Sequence, residues 1–201
     1  MAPAKEVRGE PERGKKTSAL EMVSFPSRLC TQMSLTYKQA TASDIPVIED
    51  ILFDVTDYFE KIGDPQWRKY DVTWPGLAVY FRIEDFCIAY LDNVPIGCMV
   101  ILDRDDYFWP ELPKGASLYI HKLAVKRAFA GHGYAREMID YVKALSVELG
   151  IGEVRLDCRS YKHKLRRLYE DAGFAPVKEA VIGDYSAAFY LWKQQEKTCF
   201  D

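Results

Sequence analysis

Short apolar runs alternate with longer stretches of helical periodicity along most of this chain. Runs rich in β-branched and aromatic residues predict strands at 35–39, 86–91, 95–102, 118–125, 153–158, 175–180 and 185–192. Apolar residues three or four positions apart predict helices that begin near residues 43, 135 and 162. Asp92-Asn93 joins two of the strands into a predicted β-hairpin. The pattern predicts a mixed α/β chain.

The first predicted helix carries a buried stripe and an acidic, aromatic outer surface. Ser43 is the expected N-cap, and Pro46 is tolerated in the first turn. The expected buried stripe consists of apolar residues at helical spacing: Ile48, Ile51, Leu52, Val55 and Phe59. The outer surface and the following turn combine several carboxylates with Tyr58 and Trp67. A solvated charged face is the simplest interpretation of these carboxylates.

Residues 117–135 join a predicted strand, a glycine-containing turn and the start of an amphipathic helix. The first N–H groups of a helix have no partner within the helix, and the helix dipole adds partial positive charge there. Gly131 and Gly133 would let a phosphate approach the backbone without a Cβ in the way. The segment therefore predicts a site for a phosphorylated ligand, with an ordinary strand-to-helix turn as the alternative.

The spacing of the small residues distinguishes between types of phosphate site. A dinucleotide fingerprint would need a third glycine where Arg136 stands, and a Walker loop would need Gly-Lys-Ser/Thr, which the chain lacks. The remaining pattern is L-A-V, five residues, then G-x-G-x-A. A second motif, LYEDAGF at 168–174, ends a predicted helix, with Gly173 just past its C-terminus.

The two motifs resemble those of the GNAT superfamily of N-acyltransferases. The first resembles the coenzyme A-binding motif Arg/Gln-x-x-Gly-x-Gly/Ala, with Gly133 and Ala135 matching and Ala130 at the Arg/Gln position. The second resembles the L-Y-E-x-x-G-F signature. Ala130 removes one side-chain contact to the pyrophosphate, for which Arg127 or Arg136 is a candidate substitute.

The resemblance implies a GNAT fold in the order β-α-α-β-β-β-α-β-α-β-β. Such a fold is α/β, with a strongly twisted mixed sheet of six to seven strands and helices on both faces. The strands ending near Val125 and Cys158 are expected to splay apart and to hold acetyl-CoA between them, without a metal. The implied cofactor-binding residues are Leu123, Ala124, Val125, Ala130, Gly131, His132, Gly133, Tyr134, Ala135, Arg136 and Leu165.

The implied reaction is direct attack of a neutral amine on acetyl-CoA, which needs a proton acceptor and a proton donor. Tyr169 matches the tyrosine that usually acts as general acid in the superfamily, and a core tyrosine is the alternative. His121 is the candidate proton acceptor because histidine titrates near neutrality. A hydrogen-bonded strand histidine is the alternative. Strict alternation predicts that His121, Tyr119 and Leu123 share one face of the sheet.

Three aromatic residues are candidates for binding the acceptor: Tyr58, Trp67 and Tyr119. The resemblance places the first helix and the following turn in one wall of the acceptor site, where cation–π contacts would hold an amine. Tyr119 stands where members of the superfamily often carry Glu, and Lys162 where many carry Asn. A non-catalytic module that binds coenzyme A or a partner is the second interpretation, favoured by Ala130 and Lys162. Transfer of a longer acyl group also remains open.

Composition narrows the classes of function. The formal net charge of −3 gives no general attraction to nucleic acid or anionic membrane. The five cysteines lack a C-x-x-C pair, which is typical of reduced thiols in a cytoplasmic protein. No apolar run approaches the ~20 residues needed to span a bilayer, and no signal peptide is evident. The expected partner is a small-molecule or peptide amine, without nucleic acid or membrane, and a homodimer is left open.

Domain organisation follows from a change in composition near residue 34. Residues 1–33 begin with a polar, charged, Pro- and Gly-containing stretch and are predicted to form a flexible extension. Residues 34–195 are predicted to form a single domain with a substantial core, followed by a short tail at 196–201.

Overall fold

The structure is a computed structural model that describes residues 35–195. Its strands are β1 (Thr36–Gln39), β2 (Phe86–Leu91), β3 (Val94–Leu102), β4 (Leu118–Val125), β5 (Glu153–Arg159), β6 (Ala175–Ile182) and β7 (Tyr185–Lys193). Its α-helices are α1 (Ile45–Lys61), α2 (Trp74–Leu77), α3 (Tyr134–Glu148) and α4 (His163–Asp171). Short 3-10 helices lie at Ala42–Asp44, Lys69–Val72, Ile83–Asp85 and Arg127–Phe129. The predicted extension at 1–33 and tail at 196–201 lie outside the described residues.

The strands form one seven-stranded sheet in the order β1-β2-β3-β4-β5-β7-β6. Each neighbouring pair is antiparallel except β4 and β5, which are parallel and joined through α3. A parallel connection needs a crossover of this kind, and a helix is its usual form. The predicted element order and the mixed sheet are confirmed.

Apolar side chains bury both faces of the sheet. On one face, Met138 and Ile139 of α3 and Tyr169 of α4 pack on the sheet. On the other face, Ile51 of α1 and Leu77 of α2 pack against β2 and β3. Helices therefore cover both faces, as predicted. No helix within residues 35–195 is long and apolar enough to cross a membrane.

The start of α1 differs from the prediction. Ser43 lies inside the 3-10 helix Ala42–Asp44, and α1 begins two residues later at Ile45. The Asp44 carboxylate accepts the Thr41 backbone N–H at 2.8 Å and the Thr41 hydroxyl at 2.7 Å. It also pairs with Lys38 at 3.0 Å. The predicted N-cap at Ser43 is wrong because Asp44 satisfies the polar groups of this turn.

The hairpin between β2 and β3 turns at the predicted pair. Asp92 and Asn93 have φ angles of 49° and 65°. Two central residues at positive φ match a turn whose twist suits the flanking strands. This prediction is confirmed.

Candidate active site

A β-bulge interrupts β4 at its centre. Val100 of β3 pairs with His121 and Cys98 pairs with Ala124, so two residues of β4 lie opposite Met99. Lys122, the first of these two, has a φ of 50°. The extra residue reverses the alternation, and Leu123 packs on the face of α3 and α4. The prediction that His121 and Leu123 share a face is wrong for this reason.

Beyond the bulge, β4 and β5 separate. Their pairing runs from Leu118↔Val154 to Ile120↔Leu156, and no later pair joins them within residues 35–195. The Lys126 N–H bonds the Ile96 carbonyl of β3 at 2.8 Å. Alternate residues of an antiparallel strand face the same partner, so the N–H groups of Leu123 and Val125 point away from β3. They face the opening between β4 and β5.

The turn before α3 presents a row of backbone donors. Gly131 and Gly133 have φ angles of 84° and 85°, and a Cβ at either glycine would meet nothing within 4 Å. In the described part of the chain, none of the N–H groups from Gly131 to Ala135 donates a hydrogen bond. Unpaired N–H groups at a helix start, with open space in front of them, form an anion-binding cradle.

Two arginines lie close to this turn in the chain, and their side chains differ in their contacts. The Arg127 guanidinium lies 3.7 Å from the centre of the Tyr58 ring, and its backbone N–H bonds Asp54 at 2.6 Å. The Arg136 side chain is already engaged, with Nε on Asp140 at 2.9 Å and Nη1 on the Asp171 carbonyl at 2.6 Å. Arg127 is therefore the better substitute for the side chain that Ala130 lacks.

On the α1 side of the opening, His121 lies between two carboxylates. Its Nε2 is 3.2 Å from Asp105 Oδ2, and its Nδ1 is 3.9 Å from Asp157 Oδ1. Burial by itself would lower the pKa of His121, but Asp105 and Asp157 outweigh burial and raise it. The imidazole is therefore held towards its protonated form at neutral pH.

Asp105 and Asp157 have opposite pKa shifts. Burial by itself would raise the pKa of Asp105, but His121 and the backbone N–H groups of Phe108 and Tyr107 bring it below its usual value. Burial raises the pKa of Asp157, although His121 and the Tyr185 hydroxyl, which donates to Asp157 at 2.9 Å, oppose the shift. Asp105 is thus the fixed counter-ion of His121, and Asp157 is the more readily protonated carboxylate.

Tyr169 projects from α4 into the core on the opposite face. Its ring packs on Tyr190 and Phe174, with ring centres 5.8 Å and 6.4 Å away. Burial raises the pKa of its hydroxyl, and Cys158 and Asp157 add to the shift. The hydroxyl therefore stays protonated and keeps a proton that it can give. Burial likewise raises the pKa of the Cys158 thiol to about 12, so this thiol is a poor nucleophile.

Two lysines border the same opening. The Lys122 ammonium lies 5.1 Å from the centre of the Trp67 ring, and burial lowers its pKa to about 8. Lys162, at the start of α4, donates to the Asp64 carbonyl at 2.8 Å and also to the Asp64 carboxylate. Because Asp64 follows α1, this contact links the two helical layers.

Residues 49–174 match the model of a known protein family, the acetyltransferase (GNAT) family. This range is more than half of the chain. The chain belongs to the GNAT acetyltransferase family.

Solved structures of GNAT proteins share this fold at low sequence identity. A GNAT acetyltransferase from Listeria monocytogenes has a TM-score of 0.63 and 22% identity, over 79% of this chain and 94% of that chain. An aminoglycoside acetyltransferase in complex with coenzyme A and kanamycin has a TM-score of 0.61 and 19% identity, over 80% of this chain and 95% of that chain. N-acetylglutamate synthase from Neisseria gonorrhoeae, complexed with coenzyme A and N-acetyl-glutamate, has a TM-score of 0.58 and 15% identity, over 82% of this chain and 36% of that chain. A comparison with curated proteins finds no match.

These likenesses confirm the predicted GNAT fold. Two of the structures contain coenzyme A, the cofactor that the sequence motifs of this GNAT chain predict. Their other ligands differ in chemistry, since one holds kanamycin and the other holds N-acetyl-glutamate. The acceptor of this chain therefore has to be argued from its own residues.

The structure separates the three aromatic residues predicted to bind the acceptor. Tyr58 lies under Arg127, where it lines a cleft of about 250 Å³ with Asp54 and Asp57. Tyr119 is 1% exposed and packs with Trp109 and Phe189, so it has no surface to offer a substrate. Trp67 alone lies beside the opening, under the Lys122 ammonium.

The remaining predicted cofactor residues lie around the opening or the cradle. Tyr134 and Leu165 pack against the cluster on the α3 and α4 face, and Ala124 is buried on the α1 face. The His132 ring turns back to the Ala130 carbonyl, with Nδ1 3.1 Å away, which leaves the backbone of His132 facing outward.

Three polar residues around His121 were not predicted as site residues from the sequence: Asp105, Asp157 and Lys122. Asp157 follows the buried residue Leu156 on β5, and a carboxylate between buried residues at the end of a central strand is the signal that could have found it. The role of Lys122 depends on the bulge, which leaves no mark in the hydrophobic pattern.

Proposed function

We propose that this GNAT protein transfers the acetyl group of acetyl-CoA to a primary amine of a small molecule or peptide by direct attack. One observation carries the proposal. A single opening between β4 and β5 joins an anion cradle at one end to a buried histidine–carboxylate group at the other, with a protonated tyrosine beside it.

The residues of the opening fit coenzyme A. The N–H groups of residues 131–135 would receive the pyrophosphate, and Arg127 would supply the charge that Ala130 lacks. The N–H groups of Leu123 and Val125 would bond the amide groups of the pantetheine arm, and Leu165 would pack beside it. When bound, acetyl-CoA supplies the acetyl thioester.

The acceptor amine would lie on the α1 side, against Asp157 and the Nδ1 atom of His121. Asp157 would attract the ammonium form of the acceptor, and neutral His121 would take the proton that makes it nucleophilic. Asp105 holds the imidazole in place through Nε2. Trp67 forms the neighbouring apolar wall.

Two further groups would act on the thioester. An N–H at or next to Leu123 would polarise its carbonyl, because a fixed donor in a water-poor site stabilises developing negative charge. As the amine nitrogen bonds to the carbonyl carbon and the C–S bond breaks, the Tyr169 hydroxyl would give its proton to the departing thiolate. Its raised pKa keeps that proton available across the neutral range.

The experiment is an amine-dependent assay of thiol release from acetyl-CoA, run on the unchanged protein and on Tyr169→Phe. Loss of the hydroxyl should lower turnover by about 10²–10⁴-fold, the usual effect of a lost acid–base group. Since a thiol leaves readily, we expect the lower end of this range. Tyr141→Phe is the matched control, because Tyr141 is another buried tyrosine and its hydroxyl has no hydrogen-bond partner within residues 35–195.

Full turnover in Tyr169→Phe would make Tyr169 a packing residue. Absence of thiol release with any amine would favour a GNAT-fold module that only binds coenzyme A. Two features would fit such a module. Ala130 stands where the motif has Arg or Gln, and Lys162 is engaged with Asp64.

A further inference from the structure

The bulge of β4 directs an unusual lysine towards the acceptor side of the opening. Lys122 is the residue that the bulge adds, and its φ of 50° turns its side chain away from the regular alternation. The ammonium lies over Trp67, in the segment between α1 and α2. Lys122 lowers the pKa of His121, and Asp157 stabilises the charge of Lys122, so the three groups are near enough to act on one another.

Within the described part of the chain, the Lys122 ammonium forms no ion pair. Its contact with Trp67 is the one specific interaction that it makes within residues 35–195, where no carboxylate lies within 4 Å of it. Asp71 and Asp157 stabilise its charge only from a distance. A half-buried cation without a counter-ion is unfavourable unless something compensates for the lost hydration.

Three other lysines on this side of the protein are paired with carboxylates of α1 or of the turn after it. Lys69 binds Asp57 at 3.0 Å and Glu60 at 3.4 Å. Lys126 binds Asp50 at 2.5 Å, and Lys162 binds Asp64. Carboxylates are therefore plentiful on this side of the protein, yet none is placed on Lys122.

Lys122 and Asp157 stand on the two edges of the opening. The last pair that joins β4 to β5 is Ile120↔Leu156. Lys122 follows this pair by two residues on one strand, and Asp157 follows it by one residue on the other. The acceptor space thus has a buried carboxyl group on one edge and, on the other, a cation that has no counter-ion among residues 35–195.

We propose that Lys122 binds a carboxylate of the acceptor, which is therefore an amino acid or another amine that carries a carboxylate. The amine of such a molecule lies against Asp157 and His121, and its carboxylate lies against Lys122. This inference rests on the proposed function and names its substrate class. It makes Lys122 a specificity-determining residue with no part in the proton transfers.

The test compares acceptors that differ only in the carboxylate. Phenylalanine, leucine, lysine and a dipeptide are each assayed beside their carboxamides, and the three amino acids also beside their decarboxylated amines. In the unchanged protein, kcat/KM for the best acid should exceed that for its amide by at least about tenfold, the lower end for a hydrogen bond to a charged group. The difference should lie mainly in KM, because the carboxylate is bound equally before and during the reaction.

Two substitutions of Lys122 then identify the cation. Lys122→Met keeps the length and apolar stem of the side chain, and it should bring the acid and the amide to nearly equal kcat/KM. Lys122→Arg should retain most of the preference. Lys69→Met is the matched control, because it removes a lysine on the same side that is already paired with Asp57, and it should leave the ratio unchanged.

Three results would overturn the inference. Lys122→Met could keep the preference for the acid, it could lose kcat/KM equally for acids and amides, or the unchanged protein could turn over no acid in the panel. If other amines still release thiol, the proposed function stands and the inference alone fails. If no amine does so, the proposed function fails and the inference fails with it.

Discussion

The protonation of His121 depends on carboxylates that come from two different parts of the fold. Asp105 lies in the loop between β3 and β4, held by hydrogen bonds from the backbone N–H groups of Tyr107 and Phe108 at 3.1 Å and 3.0 Å. Asp157 comes from β5. Together they raise the pKa of His121 above 6.5, its ordinary value, against the opposing effect of burial. His121 can therefore accept a proton only once the pH has passed this raised pKa.

This shift predicts the pH dependence of turnover. With a saturating acetyl-CoA concentration, kcat/KM for the amine should rise with pH through an inflection above 6.5 that is due to His121. Asp105→Asn should move that inflection to lower pH, because the imidazolium loses its nearest anion while burial still disfavours its charge. A pH series of initial rates measures both inflections.

The control for this series is Asp106→Asn. Asp106 is adjacent to Asp105 but pairs with Arg104 at 2.5 Å, so its loss should leave the inflection in place. An inflection that stays fixed in Asp105→Asn, or that persists in His121→Asn, would show that His121 is not the group that titrates.

The sequence predicted some of these residues and missed the others for a physical reason. His121, Tyr169 and the two glycines of the turn could be found because each lies within a local motif. Asp105 meets His121 through the folding of the loop between β3 and β4, and Asp157 meets it through the pairing of β4 with β5. No local pattern reports such a contact.

At the scale of elements, β3 and α3 pack closely against the part of β4 beyond the bulge. Gly97 of β3 pairs with Val125. A Cβ at Gly97 would lie 2.7 Å from the Ala124 carbonyl oxygen and 3.0 Å from Met138 Sδ. The glycine therefore allows β3, β4 and α3 to approach one another at the end of β4, alongside the opening.

Gly97→Ala should accordingly destabilise the protein. Overpacking of a filled core costs about 1–3 kcal/mol, and the Ala124 backbone cannot move aside as a flexible side chain would. Urea denaturation followed by circular dichroism should show a lower midpoint with an unchanged slope. An unchanged midpoint would mean that β3 and β4 can separate freely at this position.

Elements were more predictable than their fine structure. The strands, the hairpin turn and the helices α1, α3 and α4 follow from the residue pattern, and the structure places them within a few residues of the predicted positions. The short helix α2 was expected only from the resemblance. The bulge was not predictable, because one inserted residue leaves the run LYIHKLAV looking like an ordinary strand. Because the prediction did not include the bulge, it placed Leu123 on the wrong face of the sheet.

At the scale of the whole molecule, the two faces of the sheet contribute different parts of the site. The α1 face supplies His121, Lys122 and Trp67, whereas the α3 and α4 face supplies Tyr169 and the turn that begins α3. The opening between β4 and β5 is where the two sets meet. Family membership accounts for the fold that brings these elements together, and the proposed acceptor follows from the position of Lys122 over Trp67.

The central claim is that acetyl-CoA occupies this opening with its phosphates on the turn before α3. It is tested most directly by thermal unfolding with and without acetyl-CoA, in the unchanged protein, in Gly133→Ala and in Gly150→Ala. Both glycines have positive φ, 85° and 71°, and a Cβ at either would meet nothing within 4 Å. The two substitutions should therefore cost similar stability, about 1–2 kcal/mol of backbone strain.

The two variants should differ in their response to acetyl-CoA. Millimolar acetyl-CoA should raise the melting temperature of the unchanged protein and of Gly150→Ala by the same amount, because a ligand that binds only the folded state stabilises it by mass action. Gly133→Ala should lose most of this rise, since its methyl group would occupy the space in front of the N–H groups. No rise in the unchanged protein, or an equal rise in all three proteins, would contradict the account.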